Sequence, residues 1–304
     1  MNKKKKWNEF WATESDFHEV FVCGGDDNNN ALKKLWHSVF AQFSSQARII
    51  DMASGAGSIY RSIEAKSFSN LVAVDGSTAA LSALSKGLPD VTTIEQDITI
   101  YNPEVERADH VVSQFGIEYG GIAAFKVALA MLSSGGSVHC LCHGQNSSIP
   151  LQQRQQLEGI ELIRTTEFLS LAMHCIAAMY RNDVPMIEKY VEQFRKVEPL
   201  LARFASEYPQ TFAAHIHASL KKMILQLKSY NEKDVLEWCE SAMAQCDELE
   251  SRARDIVNIA LDTDKIQQLE QLFALKKMEN FQVEDVINEN NASVIGLLIS
   301  ARKP

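Results

Sequence analysis

Residues 50–58 read Ile50-Asp51-Met52-Ala53-Ser54-Gly55-Ala56-Gly57-Ser58, the stretch that decides the fold. An apolar run, Arg48-Ile-Ile, ends in an acid and passes through a glycine-bearing turn into a helical pattern from Ser58. Gly55 and Gly57 let the backbone bend into angles closed to other residues and let a ligand approach closely. A helix N-terminus after the turn would offer N–H groups to an anion. The spacing departs from the dinucleotide fingerprint, because Tyr60 stands at the third glycine position, where close helix–strand contact needs glycine. Asp51 at the strand end would repel a pyrophosphate and suit a cationic ligand.

Outward from this stretch the pattern repeats. Leu71-Val-Ala-Val-Asp75 is a second strand ending in an acid, Thr92–Ile98 a third with Asp97 near its end, His110–Phe115 a fourth and Ser137–His143 a fifth. Helical stretches lie between them at Ser58–Ala65, Ser77–Lys86 and Ile122–Leu132. Strands alternating with helices predict an α/β fold, a mostly parallel sheet with helices on both faces. Helical patterns over Trp7–Val20 and Asn30–Phe43 form a preface, residues 1–46, expected to cover an edge or mouth of the sheet. Residues 151–261 show no alternating strand and read as an all-helical insertion, with Pro199 expected to kink or split one helix. A helix over Asp262–Glu279, a strand over Phe281–Ile287 and a last strand over Ser293–Ala301 return the chain to residues 47–150 and predict a closing antiparallel hairpin.

Composition bounds the function. The 304 residues carry a net charge of −9 with 46% hydrophobic and 23% charged residues, so this is an ordinary globular chain. The acidity argues against a duplex nucleic-acid binder. No apolar stretch approaches the ~20 residues of a membrane span. The basic start Met1–Lys6 lacks an apolar core of a leader and reads as a solvated tail. Cysteines without C-x-x-C spacing read as buried thiols of a reducing cytoplasm. His215 and His217 do not share a helix face well, so no metal site is expected. Met173, Met179, Met186, Met223 and Met243 read as helix packing.

Three acids at neighbouring strand ends, Asp51, Asp75 and Asp97, would gather on the carboxyl edge of the sheet, where open α/β folds hold ligands. Asp75 can accept from both ribose hydroxyls, and Asp97 from an adenine amino group. D-M-A-S-G-A-G at Asp51–Gly57 resembles motif I of class I S-adenosylmethionine-dependent methyltransferases, with Ala53 where the first glycine usually stands. The resemblance extends to L-V-A-V-D at Leu71–Asp75, Q-D-I at Gln96–Ile98, A-D-H-V-V-S-Q-F at Ala108–Phe115, L-S-S-G-G-S-V at Leu132–Val138 and the final hairpin. It implies a Rossmann-like seven-stranded sheet, with the insertion between strands five and six.

It also implies S-adenosyl-L-methionine as cofactor. Ala53, Ser54, Gly55 and Gly57 would lie along the methionine part and Asp51 would face its amino group. Asp75 and Gly76 would hold the ribose, Asp97 and the backbone N–H of Ile98 the adenine, and Ser113, Gln114 and Phe115 the floor near the methyl group. Glu118 and Tyr119 follow the fourth strand, where acceptor contacts fall, and His143 ends the fifth and could act as base. The acceptor is expected to be a small molecule, with a protein side chain next. A non-catalytic cofactor-binding protein whose helical part makes a partner or homodimer surface is the alternative. A nicotinamide oxidoreductase is disfavoured by Asp51 and Tyr60.

Overall fold

The structure, a computed structural model, describes Asn8, Trp11 and residues 25–101 and 107–304, with residues 25–27 in backbone only. The lysine run and, apart from Asn8 and Trp11, the Trp7–Val20 helix lie outside the described residues. By its contacts the chain divides into two units, residues Met1–Ile149 with Ile259–Pro304, and Pro150–Asn258.

The first unit is a seven-stranded sheet in the order β3-β2-β1-β4-β5-β7-β6. The strands are β1 (Arg48–Met52), β2 (Asn70–Asp75), β3 (Thr92–Glu95), β4 (Ala108–Gln114), β5 (Leu132–Cys142), β6 (Glu279–Ile287) and β7 (Val294–Arg302). The first five pair in parallel, while β7 runs antiparallel to both β5 and β6. The sheet alternates its two apolar faces, as strand period dictates. Ile50, Met52, Val72, Val74 and Val111 face a core shared with α4 (Gly121–Met131) and α10 (Thr263–Leu275). Ile49, Leu71, Ala73 and Val112 face the opposite core, built on α1 (Gly25–Phe40), α2 (Ser58–Ser62) and α3 (Thr78–Gly87). Asp51 shares the parity of Ile49, so an acid sits at the end of an apolar row.

The order reverses between β1 and β4, which makes the carboxyl ends of these strands the switch point where such sheets open a crevice. The turns after the two strands touch there. A Cβ on Gly116 would lie 2.6 Å from Ala53 Cβ and 2.8 Å from Ala53 O, so only glycine fits. The outer strand β6 carries Glu279, Gln282, Glu284 and Asp285, charged and polar groups that discourage edge-to-edge pairing.

The second unit is helical: the body of α5 (Ser148–Thr165), α6 (Phe168–Arg181), α7 (Val184–Glu207), α8 (Phe212–Leu225) and most of α9 (Glu232–Ile259). Ile160, Phe168, Ile176, Leu201, Ile216, Leu220 and Cys239 form its own core. The breaks at Asn182-Asp183 and Tyr208–Thr211 carry N-caps, because Asp183 and Thr211 accept from Met186 N and Ala214 N.

Four expectations need correction. Helix α7 runs unbroken through Pro199. Met243 is exposed rather than packed. β3 stops at Glu95, short of the expected Ile98. The helix after the glycine turn spans five residues, Ser58–Ser62, and is followed by a separate 3-10 turn at Ala65–Ser67. A helix that short contributes little macrodipole.

Candidate functional site

The site is built from the turns after β1, β2, β4 and β5. The turn after β1 holds two positive-φ residues in close succession, Ala53 at 57° and Gly55 at 53°, and Gly57 follows at 87°. Glycine adopts such angles freely, whereas alanine pays for them. Asp75 at the tip of β2 organises the turn across the sheet. One carboxylate oxygen accepts from Gly55 N at 2.9 Å and the other from Ser77 N at 2.7 Å. Burial raises the Asp75 pKa, opposed by these backbone N–H groups and that of Gly76. Both Asp75 oxygens keep a second lone pair for a ligand. Gly76 has no steric need for glycine, since the nearest atom to an added Cβ is Gln96 O at 4.0 Å.

Asp51 is 1% exposed, and neither of its carboxylate oxygens has a hydrogen-bond partner. Burial, and then the neighbouring Asp75 charge, raise its pKa well above the usual carboxylate range. Ser54 Oγ, in the same turn, is likewise buried without a partner. Buried orphan polar atoms are rare and costly, and a carboxylate costs most. Asp51 and Asp75 lie close enough to interact, and the unpartnered atoms of Asp51 and Ser54 are ones that a cationic donor would satisfy.

The two sides of the switch point are cross-tied. Ser113 Oγ donates to Met52 O at 2.7 Å and accepts from Ile117 N at 3.1 Å. Its hydroxyl is thus engaged in joining β4 to β1. Gln114 Oε1 accepts from Trp36 Nε1 at 2.5 Å. Phe115, at φ 52°, donates its N–H to Leu141 O and lays its ring 4.7 Å from the His143 ring centroid.

Beyond it, Glu118 lies in a 3-10 turn, Ile117–Gly120, and is 4% exposed. Its Oε1 accepts the backbone N–H of His143 at 2.9 Å and lies 2.6 Å from His143 Nδ1. A carboxylate can only accept, so Nδ1 carries a proton toward Glu118. Tyr119 stands edge-on to the same ring at 6.3 Å. Glu118, Tyr119 and His143, chosen separately along the sequence, therefore meet in one cluster with Phe115. Burial first, and then the nearby Glu118 carboxylate, push the Cys142 thiol pKa well up, so it is no thiolate nucleophile at neutral pH.

Asp97 does not join this arrangement through the β3 tip. It lies two residues past the strand, exposed, where Oδ1 accepts from Thr99 N and Thr99 Oγ1 at 2.8 and 2.7 Å. Ile98 is buried in the core facing α4. Sequence reasoning missed Arg61 and the tie that Tyr60 makes. Tyr60 is fully buried and its hydroxyl lies within bonding distance of Ile49 O and Val72 O, so it ties β1 to β2. Arg61 donates to Ala56 O and Ala83 O and so fastens the glycine turn to α3. The signal for Tyr60 was its place on the apolar face of a short helix; for Arg61 there was none. Among the described residues no group of three or more His, Cys, Asp or Glu could hold a metal ion.

Comparisons place this architecture among solved structures. The chain is similar to a protein from Methanococcus maripaludis provisionally assigned as an S-adenosyl-L-methionine-dependent methyltransferase, at 13% identity and TM-score 0.45, covering 100% of this chain and 96% of that one. It is similar to DesVI of Streptomyces venezuelae at 22% identity and TM-score 0.34, over 40% of this chain. The N-methyltransferase NodS of Bradyrhizobium japonicum, in complex with S-adenosyl-L-homocysteine, matches at 13% identity and TM-score 0.38, over 44% of this chain and 72% of that one. The chain spans about half of the length of DesVI (52%). No family model matches, and no curated protein sequence does.

Proposed function

We propose that the protein is an S-adenosylmethionine-dependent methyltransferase acting on a small-molecule acceptor. The observation that carries this reading is Asp51, a buried carboxylate without a protein partner at the tip of β1, beside a positive-φ glycine turn and a second acid. A pyrophosphate would meet two carboxylates there, whereas an ammonium or sulfonium would neutralise them. In this reading Asp51 accepts from the ligand's amino group, Asp75 adds ribose hydroxyls to the N–H groups it already takes, and the Gly55 turn carries the methionine part. Asp97 and Ile98 keep the adenine role that the motif resemblance implies, with Asp97 turning away from its Thr99 bonds to reach it.

S-adenosylmethionine, once bound, would supply an activated methyl group on a sulfonium. The chain then has to align the acceptor, exclude water and take up a proton if the acceptor is protonated. Glu118 fixes the His143 tautomer, so Nε2 can accept the acceptor's proton. Phe115 and Tyr119 wall the same cluster. The buried, acidic lining favours a compact acceptor over a nucleic acid.

Titration of the protein with S-adenosyl-L-homocysteine, S-adenosylmethionine and NADH tests the reading directly. Binding of the first two and not the third is expected. Binding of NADH alone, or of none, would sink it. His143→Ala and Glu118→Gln should then lower turnover on any acceptor found by about 10²-fold or more while leaving homocysteine-ligand affinity within about twofold. A parallel loss of affinity would move both residues out of the acceptor chemistry.

A further inference from the structure

Trp36 and Gln114 meet at the carboxyl end of β4. The Trp36 indole, on α1, is fully buried, and its Nε1 lies 2.5 Å from Gln114 Oε1. An indole N–H can only donate, so the amide oxygen has to face it. Chemistry thus settles which way the Gln114 amide points: its NH2 group, with two donor hydrogens, is turned away from Trp36. Among the described residues none accepts from that NH2 group, and it is not sealed in the core.

The strand register sets this donor beside Asp51. Asp51 pairs with Val112 across β1 and β4, and Gln114 lies two residues beyond Val112. Side chains two apart on a strand share a face. Asp51 and Gln114 therefore stand on one face of the sheet, on the two strands that flank the switch point. Asp51 offers carboxylate oxygens without a partner, and Gln114 offers amide hydrogens without one. An α-amino acid end group carries an ammonium and a carboxylate on one carbon, and it fits an acceptor and a donor placed side by side. The carboxylates of Asp75 and Glu118 can only accept, so a ligand carboxylate has to find its donors elsewhere, and Gln114 supplies two.

We propose that Gln114 donates to the α-carboxylate of the adenosyl ligand's amino-acid end while Asp51 takes its ammonium, and that Trp36 is the positioning residue that keeps the amide N–H groups toward the ligand. The proposal rests on the ligand reading given above. It gives Gln114 a more specific role than the methyl-side floor that the motif resemblance implies. Trp36 acts only through the amide. Without the indole N–H, the amide is free to turn its oxygen toward the carboxylate, an arrangement in which two acceptors meet.

Two probes differ by the group in question: S-adenosyl-L-homocysteine, and S-adenosyl-3-thiopropylamine, its decarboxylated form, which keeps the ammonium. Calorimetry on the full-length protein gives the affinity of each. Wild type should bind the homocysteine compound about tenfold more tightly than the amine. Gln114→Leu should weaken the homocysteine compound about tenfold and leave the amine within about twofold, so that the two losses do not add. Gln114→Glu should weaken it further, because one oxygen still accepts from Trp36 while the other meets the ligand carboxylate as a like charge. Trp36→Phe keeps an aromatic ring and loses the N–H. It should cost about threefold for the homocysteine compound and leave the amine unchanged, whereas a merely structural role would weaken both alike. Thermal melts by circular dichroism identify any variant that fails to fold, and Gln114→Leu, at a partly exposed position, then decides. Wild type that binds neither probe overturns the ligand reading and this proposal together. Equal wild-type affinity for the two probes, or a Gln114→Leu variant that weakens both equally or neither, overturns the carboxylate assignment alone. A folded Trp36→Phe variant that binds both probes as wild type does, or loses both equally, overturns the positioning role.

Discussion

Asp51 is held in the sheet at a cost. Burial and the Asp75 charge both raise its pKa, so the folded protein binds this proton more tightly than the unfolded chain, whose carboxylate titrates near 3.8. For this group, stability is highest at acid pH and declines as pH rises from the unfolded pKa through the raised folded value. Replacing the charge by a neutral amide relieves that penalty. Asp51→Asn is thus expected to raise the melting temperature of the free protein at pH 7–8 by a few degrees while weakening S-adenosyl-L-homocysteine binding; a lower melting temperature would contradict the buried-charge account. Ala53, at φ 57°, is a second strained position. Ala53→Gly should stabilise the fold by about 1 kcal/mol, read from denaturant midpoints, because the left-handed angle costs an alanine about that much. Acids at the ends of β1 and β2 were legible because an apolar run that stops at a carboxylate is visible in sequence. The early end of β3 has an equally local cause: the Asp97 side chain caps the next turn by bonding Thr99, which the apolar pattern does not report.

At the scale of elements, the strands were readable from alternation and length, and their ends moved by only a few residues. What the sequence could not show were contacts between distant turns. Glu118 and His143 lie 25 residues apart, and their pairing depends on β4 and β5 being neighbours in the sheet. The Gly116–Ala53 contact arises the same way, across the switch point. Gly116 has φ −137°, so glycine is required there for room rather than for backbone freedom. Gly116→Ala should cost about 1–3 kcal/mol in chemical denaturation, and should also weaken homocysteine-ligand binding by spreading the two turns. At the opposite end of the sheet, Ser137 Oγ bridges His110 Nδ1 at 2.8 Å and His139 Nε2 at 3.0 Å, with Phe43 stacked on His110. Burial, and then His110, lower the His139 pKa from 6.5 to about 4. The unfolded chain takes up this proton first, so the stability present above pH 6.5 is lost as pH falls toward 4, by at most about 3 kcal/mol. His139→Gln should flatten that part of the stability–pH curve. An unchanged curve would assign the acid sensitivity to other groups.

For the molecule as a whole, the sheet unit carries every residue proposed to meet the cofactor, and the helical unit has a core of its own. Replacing Pro150–Asn258 by a short Gly/Ser linker should leave a folded protein that still binds S-adenosyl-L-homocysteine, checked by circular dichroism and calorimetry, while abolishing turnover. A variant that fails to fold would make the helices an integral part of the sheet's core. The absence of a sequence motif in this region follows from its construction: helix-packing residues such as Ile176 and Leu220 report that a bundle forms, not what it is for.

The chain leaves and rejoins the sheet at one narrow place. Leu261 N donates to His143 O at 2.7 Å, and Gln145 N donates to Leu261 O at 2.9 Å. This stitch lets bundles be exchanged like cassettes: a different helical piece could be grafted between Ile149 and Ile259 without re-pairing a single strand. Because the stitch includes the His143 carbonyl, every such graft would leave the Glu118–His143 pair of the sheet unit as it is.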